Sequence, residues 1–329
     1  MEILIVSNLF IPVKLYGGIE RAVWSLGKEL VKLGHKVTYL VKKGSYSDFA
    51  TVVHIDESKS IVGQIPKKYD VIHFFFRPQN IEEIKVPYII TIQVNSNNLD
   101  ELDKNTIFVS KDHAHRYNSD SYVYNGLDWD EYTPPDLNKQ RSYFHFLAKA
   151  SWRVKNVRGA INVIKKTRTE RLKVLGGVRF NFNMGIRFTF SQKVSFAGMV
   201  GGAEKDMLLN NSKGLIFPVI WNEPFGIAII ESLYYGCPVF GTPYGSLPEL
   251  VINDVGYLSN REDELANAVL NYNIFSSKKC HEYALYEFNS KKMALEYIKK
   301  YEIVISGKCL NKSNPRLKKI QEEKFLKWE

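Results

Sequence analysis

Asn222–Gly245 reads NEPFGIAIIESLYYGCPVFGTPYG. Two glutamates, Glu223 and Glu231, stand eight positions apart across the elbow Pro224-Phe225-Gly226. The elbow opens a short apolar helix that stops at Gly236 and gives way to a strand-like run, Pro238–Phe240. Proline and glycine at a helix start, and glycine just past its end, follow the usual boundary asymmetry. Apolar residues occupy nearly every side of this helix (Ile227, Ile229, Ile230, Leu233, Tyr234), which predicts burial. Glu231 then lies inside a buried helix and needs a partner, because an unpaired buried carboxylate is costly. Glu223 sits just outside, beside backbone N–H groups that a helix start leaves unsatisfied and that together form an anion site. Carboxylates suit hydroxyls and amides suit phosphate. A sugar nucleotide offers both.

At these residues the chain resembles the family-4 retaining glycosyltransferases, whose hallmark is a Glu-x7-Glu pair around E-P-F-G with G-x-P-V downstream, here Gly236-Cys237-Pro238-Val239. The resemblance implies that Glu223 contacts the donor sugar and that Glu231 holds the nucleotide ribose. It also places Pro224, Phe225, Gly226 and Ile227 around the donor. The bland alternative is a buried helix–strand unit with chance acids.

At 329 residues the chain is long for one core, and two domains are expected. No apolar run approaches the roughly 18 residues of a membrane span. The first strand begins at Glu2, which leaves no room for a signal peptide, so a cytoplasmic protein is expected. Three scattered cysteines (Cys237, Cys280, Cys309) show no metal-ligand spacing and fit a reducing compartment. The net charge of +10 is unevenly placed: residues 141–193 hold 13 Lys/Arg against one acid, Glu170. Such a block suits a polyanion, an anionic membrane surface or a phosphate-rich ligand. No nucleic-acid-binding signature accompanies it, so no nucleic-acid partner is expected. Basic residues here and in the lysine-rich tail also suit a peripheral membrane contact at the inner face of a membrane.

Along the chain, Glu2–Ser7 reads as a buried parallel strand, Ile19–Leu33 as a helix ended by Gly34, and Lys36–Val41 as the next strand. That βαβ unit implies a parallel sheet with helices on its faces. Further strands are expected at Val71–Phe75, Tyr88–Ile92, Ile107–Val109 and Tyr122–Val123. Thr133-Pro134-Pro135-Asp136 looks like a linker, after Asn125-Gly126-Leu127-Asp128, which is similar to the N-G-V-D turn closing the family's first domain. Strands restart at Phe144–Ala148, Leu172–Leu175, Val194–Phe196, Gly214–Phe217, Val239–Phe240 and Tyr257-Leu258. The fold class expected is α/β with two Rossmann-like domains, the GT-B architecture, whose parallel sheets face across a cleft. The division drawn is 1–135 on the acceptor side and 136–288 on the donor side. A helix over 289–306, capped at Asn289-Ser290, crosses back to the first domain in the resembled family; a basic, poorly patterned tail, 307–329, reads as a solvated end.

Lys149 and Lys155 follow the strand Phe144–Ala148, where the family shows G-R-L-x-x-x-K-G and uses the cations on the donor diphosphate. This chain departs from that pattern: Ala148 stands for glycine, Lys149 for arginine, and Lys155 comes one residue late. Lysine supplies a point charge without arginine's bidentate fork. Gly17-Gly18 opens the first helix, where a ligand approaches backbone closely; in the family this loop lies near acceptor and phosphate. At Thr91-Ile92-Gln93 the family commonly carries T-x-H, and glutamine bonds a donor-sugar hydroxyl but is no base at neutral pH. His73 is as well read as a core histidine; His113 and His115 point to different sides of a helix and make a poor metal pair. Asp128-Trp129-Asp130 is formally D-x-D but belongs to the domain-closing turn.

The resemblance implies a retaining hexosyltransferase that moves sugar from a nucleoside-diphosphate sugar, UDP favoured, to a hydroxyl of a glycan, lipopolysaccharide, glycolipid or other acceptor. No cofactor and no metal are expected, because cations take the departing diphosphate. The alternatives are a non-catalytic sugar-nucleotide-binding subunit, suggested by Gln93 and Ala148-Lys149, and a sugar-nucleotide epimerase of the same fold.

Overall fold

The computed structural model describes all residues except Lys14, Tyr16, Asn183 and Gly185. It divides into two compact units. One comprises Met1–Val13, Gly17–Asp128 and Phe288–Gln321; the other is built on Trp129–Glu287 and Glu322–Glu329.

The first unit carries β1 (Glu2–Val6), α1 (Gly18–Lys32), β2 (Lys36–Val41), β3 (Thr51–His54), β4 (Val71–Phe74), β5 (Tyr88–Ile92), β6 (Thr106–Phe108) and the short α2 (Lys111–Arg116). All six strands are parallel, in the order β3-β2-β1-β4-β5-β6. Because successive side chains alternate faces, Ile3 and Ile5 pack with Val23, Leu26 and Leu30 of α1, whereas Leu4 and Val6 pack with Leu40, Ile72 and Phe74 on the other side. Both faces are apolar, as in sheets covered on both sides. A closing helix, Ser290–Ile305, is capped by Asn289, whose side chain accepts from the Lys292 N–H. Its Met293, Ala294, Tyr297, Tyr301 and Val304 complete the α1-side core.

The second unit carries β7 (Tyr143–Leu147), α3 (Val157–Lys166), β8 (Leu172–Leu175), β9 (Phe180–Asn181), β10 (Arg187–Phe188), β11 (Val194–Phe196), α4 (Gly202–Asn210), β12 (Ser212–Phe217), α5 (Ile227–Tyr234), β13 (Val239–Gly241), α6 (Leu247–Leu250), β14 (Gly256–Leu258), α7 (Glu262–Leu270) and α8 (Ser277–Glu287). Six of these strands form a parallel sheet in the order β11-β8-β7-β12-β13-β14, and β9 and β10 make a separate antiparallel hairpin. Two parallel doubly wound sheets make the α/β architecture expected from the strand pattern. Among the described residues no helix is long and apolar enough to cross a membrane.

Four details differ from the sequence reading. Tyr122–Val123 forms no strand, only a bridge from Tyr122 to Phe108. The edge strand β3 and the β9–β10 hairpin were not anticipated. The division between the units falls after Asp128, because Tyr132 and Thr133 hydrogen-bond to Glu231 and Asp206 and so belong with the second unit. The 307–329 tail is no solvated end. Leu317 packs with Phe108, Ala114 and Tyr117, and Asn311 donates to the carbonyls of Lys104 and Thr106 at 2.8 and 2.9 Å. In the second unit, the Leu326 N–H donates to Ile220 O at 2.8 Å and the Glu329 N–H to Asn260 O at 2.9 Å.

His73 is a core residue, fully buried between the Thr91 and Tyr301 hydroxyls at 2.8 and 2.9 Å. His145 sits likewise between Ser212 and Ser232 at 2.7 and 2.8 Å. Burial lowers both imidazoles to about 3. The unfolded chain protonates first, so each contribution is complete above about pH 6.5 and is lost as the pH falls toward 3. Lowering the pH from 7 to about 5.5 should therefore cost about 1.4 kcal/mol per histidine. Denaturant titrations at the two pH values check this, and an unchanged unfolding free energy would contradict it.

Candidate active site of the second unit

Strand order reverses between β7 and β12, so the loops leaving their carboxyl ends meet at a topological switch point, where open α/β sheets bind ligands. The β7 loop runs through Lys149 to a short turn, Arg153–Lys155, and the β12 loop runs through Trp221 to the elbow. The Ile220 N–H donates to Val154 O at 2.9 Å and ties the loops together. Lys155 and Glu223, both almost fully buried, form an ion pair there: Nζ lies 2.6 Å from Oε2 and 2.9 Å from Oε1. Trp221 Nε1 donates to Glu223 Oε2 at 2.7 Å, and the ammonium stands about 5 Å from the Trp221 and Phe217 ring centres (5.0 and 5.2 Å).

The elbow itself is pinned from behind. Gly245 bridges to Glu223, the Ser246 N–H donates to Glu223 O at 2.9 Å, and Ser246 Oγ donates to Phe225 O at 2.6 Å. Pro224, Phe225 and Gly226 are buried, and Ile227 opens α5. Gly226 takes φ +93° as N-cap and the Ile229 N–H turns back to its carbonyl at 2.9 Å, while no capping side chain competes for the Ile227 and Ala228 amides ahead of it.

Glu231 lies in α5, buried as the apolar helix requires, and its partners are Tyr132 Oη at 2.7 Å and Lys205 Nζ of α4. A carboxylate taken from water in this way keeps its charge only with such partners. Lys205, Tyr132 and Trp221 escaped the sequence reading. Trp221 was within reach, two residues before Glu223; Lys205 carries no motif.

Lys149 is exposed at the end of β7, and its side chain has no hydrogen-bond or ion-pair partner among the described residues. The rest of the 141–193 charge is largely structural, not gathered at the elbow. Arg141 donates to Ser212 O and Tyr235 O, Arg179 to Thr189 O, Ser191 O and Val194 O, Lys193 to Thr167 O, and Lys166 pairs with Asp263. In the first unit, Gln93 exchanges amide hydrogen bonds with Asn125 at 2.9 and 3.0 Å. Gly17 and Gly18 stand at the start of α1, where a Cβ on Gly17 would lie 2.7 Å from Glu20 Oε2. Asp128 pairs with Lys28 and Lys32 at 2.9 and 3.3 Å, as a structural anchor of the domain-closing turn. His113 is buried and His115 is not.

Two parallel Rossmann-like sheets with an acid-flanked elbow at the switch point of the second define a GT-B protein. AviGT4, a glycosyltransferase involved in avilamycin A biosynthesis, is similar in fold, with a TM-score of 0.73 at 18% identity over 93% of this chain and 98% of its own. Anabaena Alr3699/HepE, solved in complex with UDP and glucose, gives a TM-score of 0.63 at 15% identity over 92% and 99% of the two chains. Residues 135–286 match the family described as glycosyl transferases group 1, so the second unit is a domain of that family. An uncharacterized 41.2 kDa protein in the cps region of Klebsiella pneumoniae is 30% identical over 120 residues, which cover 34% of this chain and 33% of that protein. The chain thus matches about a third of the length of this curated relative.

Proposed function

We propose that the chain is a retaining glycosyltransferase that moves a sugar from UDP-sugar to an acceptor hydroxyl, in glycan, lipopolysaccharide or glycolipid biosynthesis, without a metal ion. The observation that carries this reading is the buried Lys155–Glu223 pair beside the uncapped start of α5 at the switch point. Two of the three ammonium protons of Lys155 go to Glu223, which leaves one for a donor phosphate oxygen. Glu223 accepts from Lys155 and Trp221 and retains lone-pair capacity for a sugar hydroxyl. The pair therefore binds sugar and phosphate side by side.

In this reading Glu231 takes the ribose hydroxyls, the amides after Gly226 take phosphate, and Lys149 adds charge for the departing diphosphate. To the first unit it assigns acceptor or phosphate contacts at Gly17 and Gly18 and a sugar hydroxyl contact at Gln93. Glu223 is locked to a cation and Gln93 is not basic, so neither acts as general base; the departing phosphate takes the acceptor proton on the same face of the sugar. UDP is favoured among nucleotides, and a neighbour of the same fold holds UDP and glucose.

Calorimetry tests the ribose assignment. Glu231→Gln keeps the shape and removes the charge, and UDP affinity should fall about tenfold, the worth of a hydrogen bond to a charged group. The variant also leaves the buried Lys205 without its carboxylate and is expected to be less stable, so affinity is compared at a temperature where it is fully folded. Unchanged affinity there would remove Glu231 from the site. No response of the wild-type chain to UDP, GDP or ADP in a thermal-shift screen would sink the whole reading.

A further inference from the structure

Val178–Phe190 reads VRFNFNMGIRFTF, with an apolar residue at every even position from 178 to 190. Period-two alternation belongs to a strand with one apolar face. The chain builds a hairpin from it, with Phe180 opposite Phe188 and Asn181 opposite Arg187. Packed on a domain, such a hairpin turns its apolar face to the core. Here the facing is reversed. Val178, Phe180, Phe182, Met184, Ile186, Phe188 and Phe190 are all exposed, Phe182 by 69% and Phe190 by 79%, whereas Arg187 and Thr189 are buried. Hydrogen bonds hold it so: Arg187 donates to Thr189 Oγ1 and Val178 O, and Arg179 to three carbonyls. A slip of one residue would bury the phenylalanines and break every one of these bonds. An exposed, contiguous apolar face of this size marks an interaction surface.

The surroundings say what meets it. Beside the hairpin lies a cavity of about 320 Å³ lined by Arg153, Arg158 and Arg187 together with Met184, Ile186 and Phe325. None of the three arginines pairs with a carboxylate among the described residues, and the Arg187 Nε lacks a partner. The hairpin also lies within the segment of thirteen cations and one acid. A second copy docking on this face about a twofold axis would set these cationic segments against each other. An anionic bilayer suits both features: aromatic side chains enter the interface and arginines take lipid phosphates.

We propose that the β9–β10 hairpin is a membrane-docking element that inserts Phe180, Phe182, Phe188 and Phe190 into the interface of an anionic bilayer while Arg153 and Arg158 hold lipid phosphates. This is independent of the transferase reading. The full-length chain should float with vesicles of equimolar phosphatidylglycerol and phosphatidylcholine and bind phosphatidylcholine vesicles at least about tenfold more weakly. The double variant Phe182→Ser/Phe190→Ser should lose at least about tenfold in partition to the mixed vesicles. Both side chains are exposed, so its thermal midpoint and UDP response should match wild type. Undiminished binding of that variant, equal binding to both vesicle types, or no vesicle binding by the wild type would each overturn the proposal. So would a wild-type dimer in solution that the double variant abolishes, since the occupant would then be a second copy.

Discussion

Lys155→Ala is expected to destabilise the second unit by about 3–5 kcal/mol, the cost of leaving a buried carboxylate without its cation. Lys155 and Glu223 are only 7% and 5% exposed, so water cannot screen the charge left on Glu223. The Trp221 indole would be its one remaining strong donor among the contacts described above. The same substitution removes the ammonium assigned to the donor phosphate, so turnover should fall at least tenfold, about the value of one fixed transition-state contact. A second variant separates the two effects. In Lys155→Met/Glu223→Met both charges go, and an apolar pair of similar volume restores most of the stability. It should not restore donor binding or turnover. Denaturant titration, UDP calorimetry and sugar transfer measured on both variants check the argument. Wild-type turnover in Lys155→Ala would take the lysine out of the site, and a double variant as unstable as the single would show that the pair is not the source of the loss.

The parts of the fold that were legible in the sequence are those buried on both sides. β1, β4 and β5 are short, largely apolar runs because both of their faces are covered, and burial marks successive residues of each. β3, Thr51-Val-Val-His54, is exposed at three of its four residues and leaves no such mark. The hairpin kept its period in plain view. Period tells that a strand has two faces and not which one turns inward; the inward face was chosen by Arg179 and Arg187 bonding to carbonyls that only the folded loop supplies. The same holds for the elbow. Glu231 in an apolar helix demanded a partner, yet the demand did not say Lys205, because α4 reaches it through tertiary packing alone. Lys155 and Glu223 were each singled out, with separate roles, 68 positions apart. Only the adjacency of β7 and β12 brings them into one ion pair. In the tail, isolated apolar residues such as Leu317 and Leu326 carry no periodicity, and their docking depends on surfaces distant in sequence.

Gly245→Ala should be nearly as damaging as loss of Lys155, although position 245 touches no charged atom. Gly245 takes φ +63°, and a Cβ there would stand 2.3 Å from both the backbone N and O of Glu223. No heavy atoms approach so closely, and neither neighbour is the free end of a side chain. The elbow must move, or the 245–246 turn must. Either shift strains the bond from the Ser246 N–H to Glu223 O and tilts the carboxylate away from Lys155 and Trp221. Overpacking against backbone and the left-handed conformation together should cost about 2–4 kcal/mol. Gly34→Ala serves as the control, because Gly34 also has positive φ (+87°) but nothing lies within 4 Å of its added Cβ. That substitution should cost only the conformational part, about 1 kcal/mol. The contrast is sharper in binding than in stability: UDP affinity should fall about tenfold or more in Gly245→Ala and stay at the wild-type value in Gly34→Ala, since a displaced elbow withdraws both the Glu223 carboxylate and the α5 amides. Equal losses of stability in the two variants, with UDP affinity unchanged in both, would mean that the close approach of Gly245 to Glu223 does not hold the elbow in place.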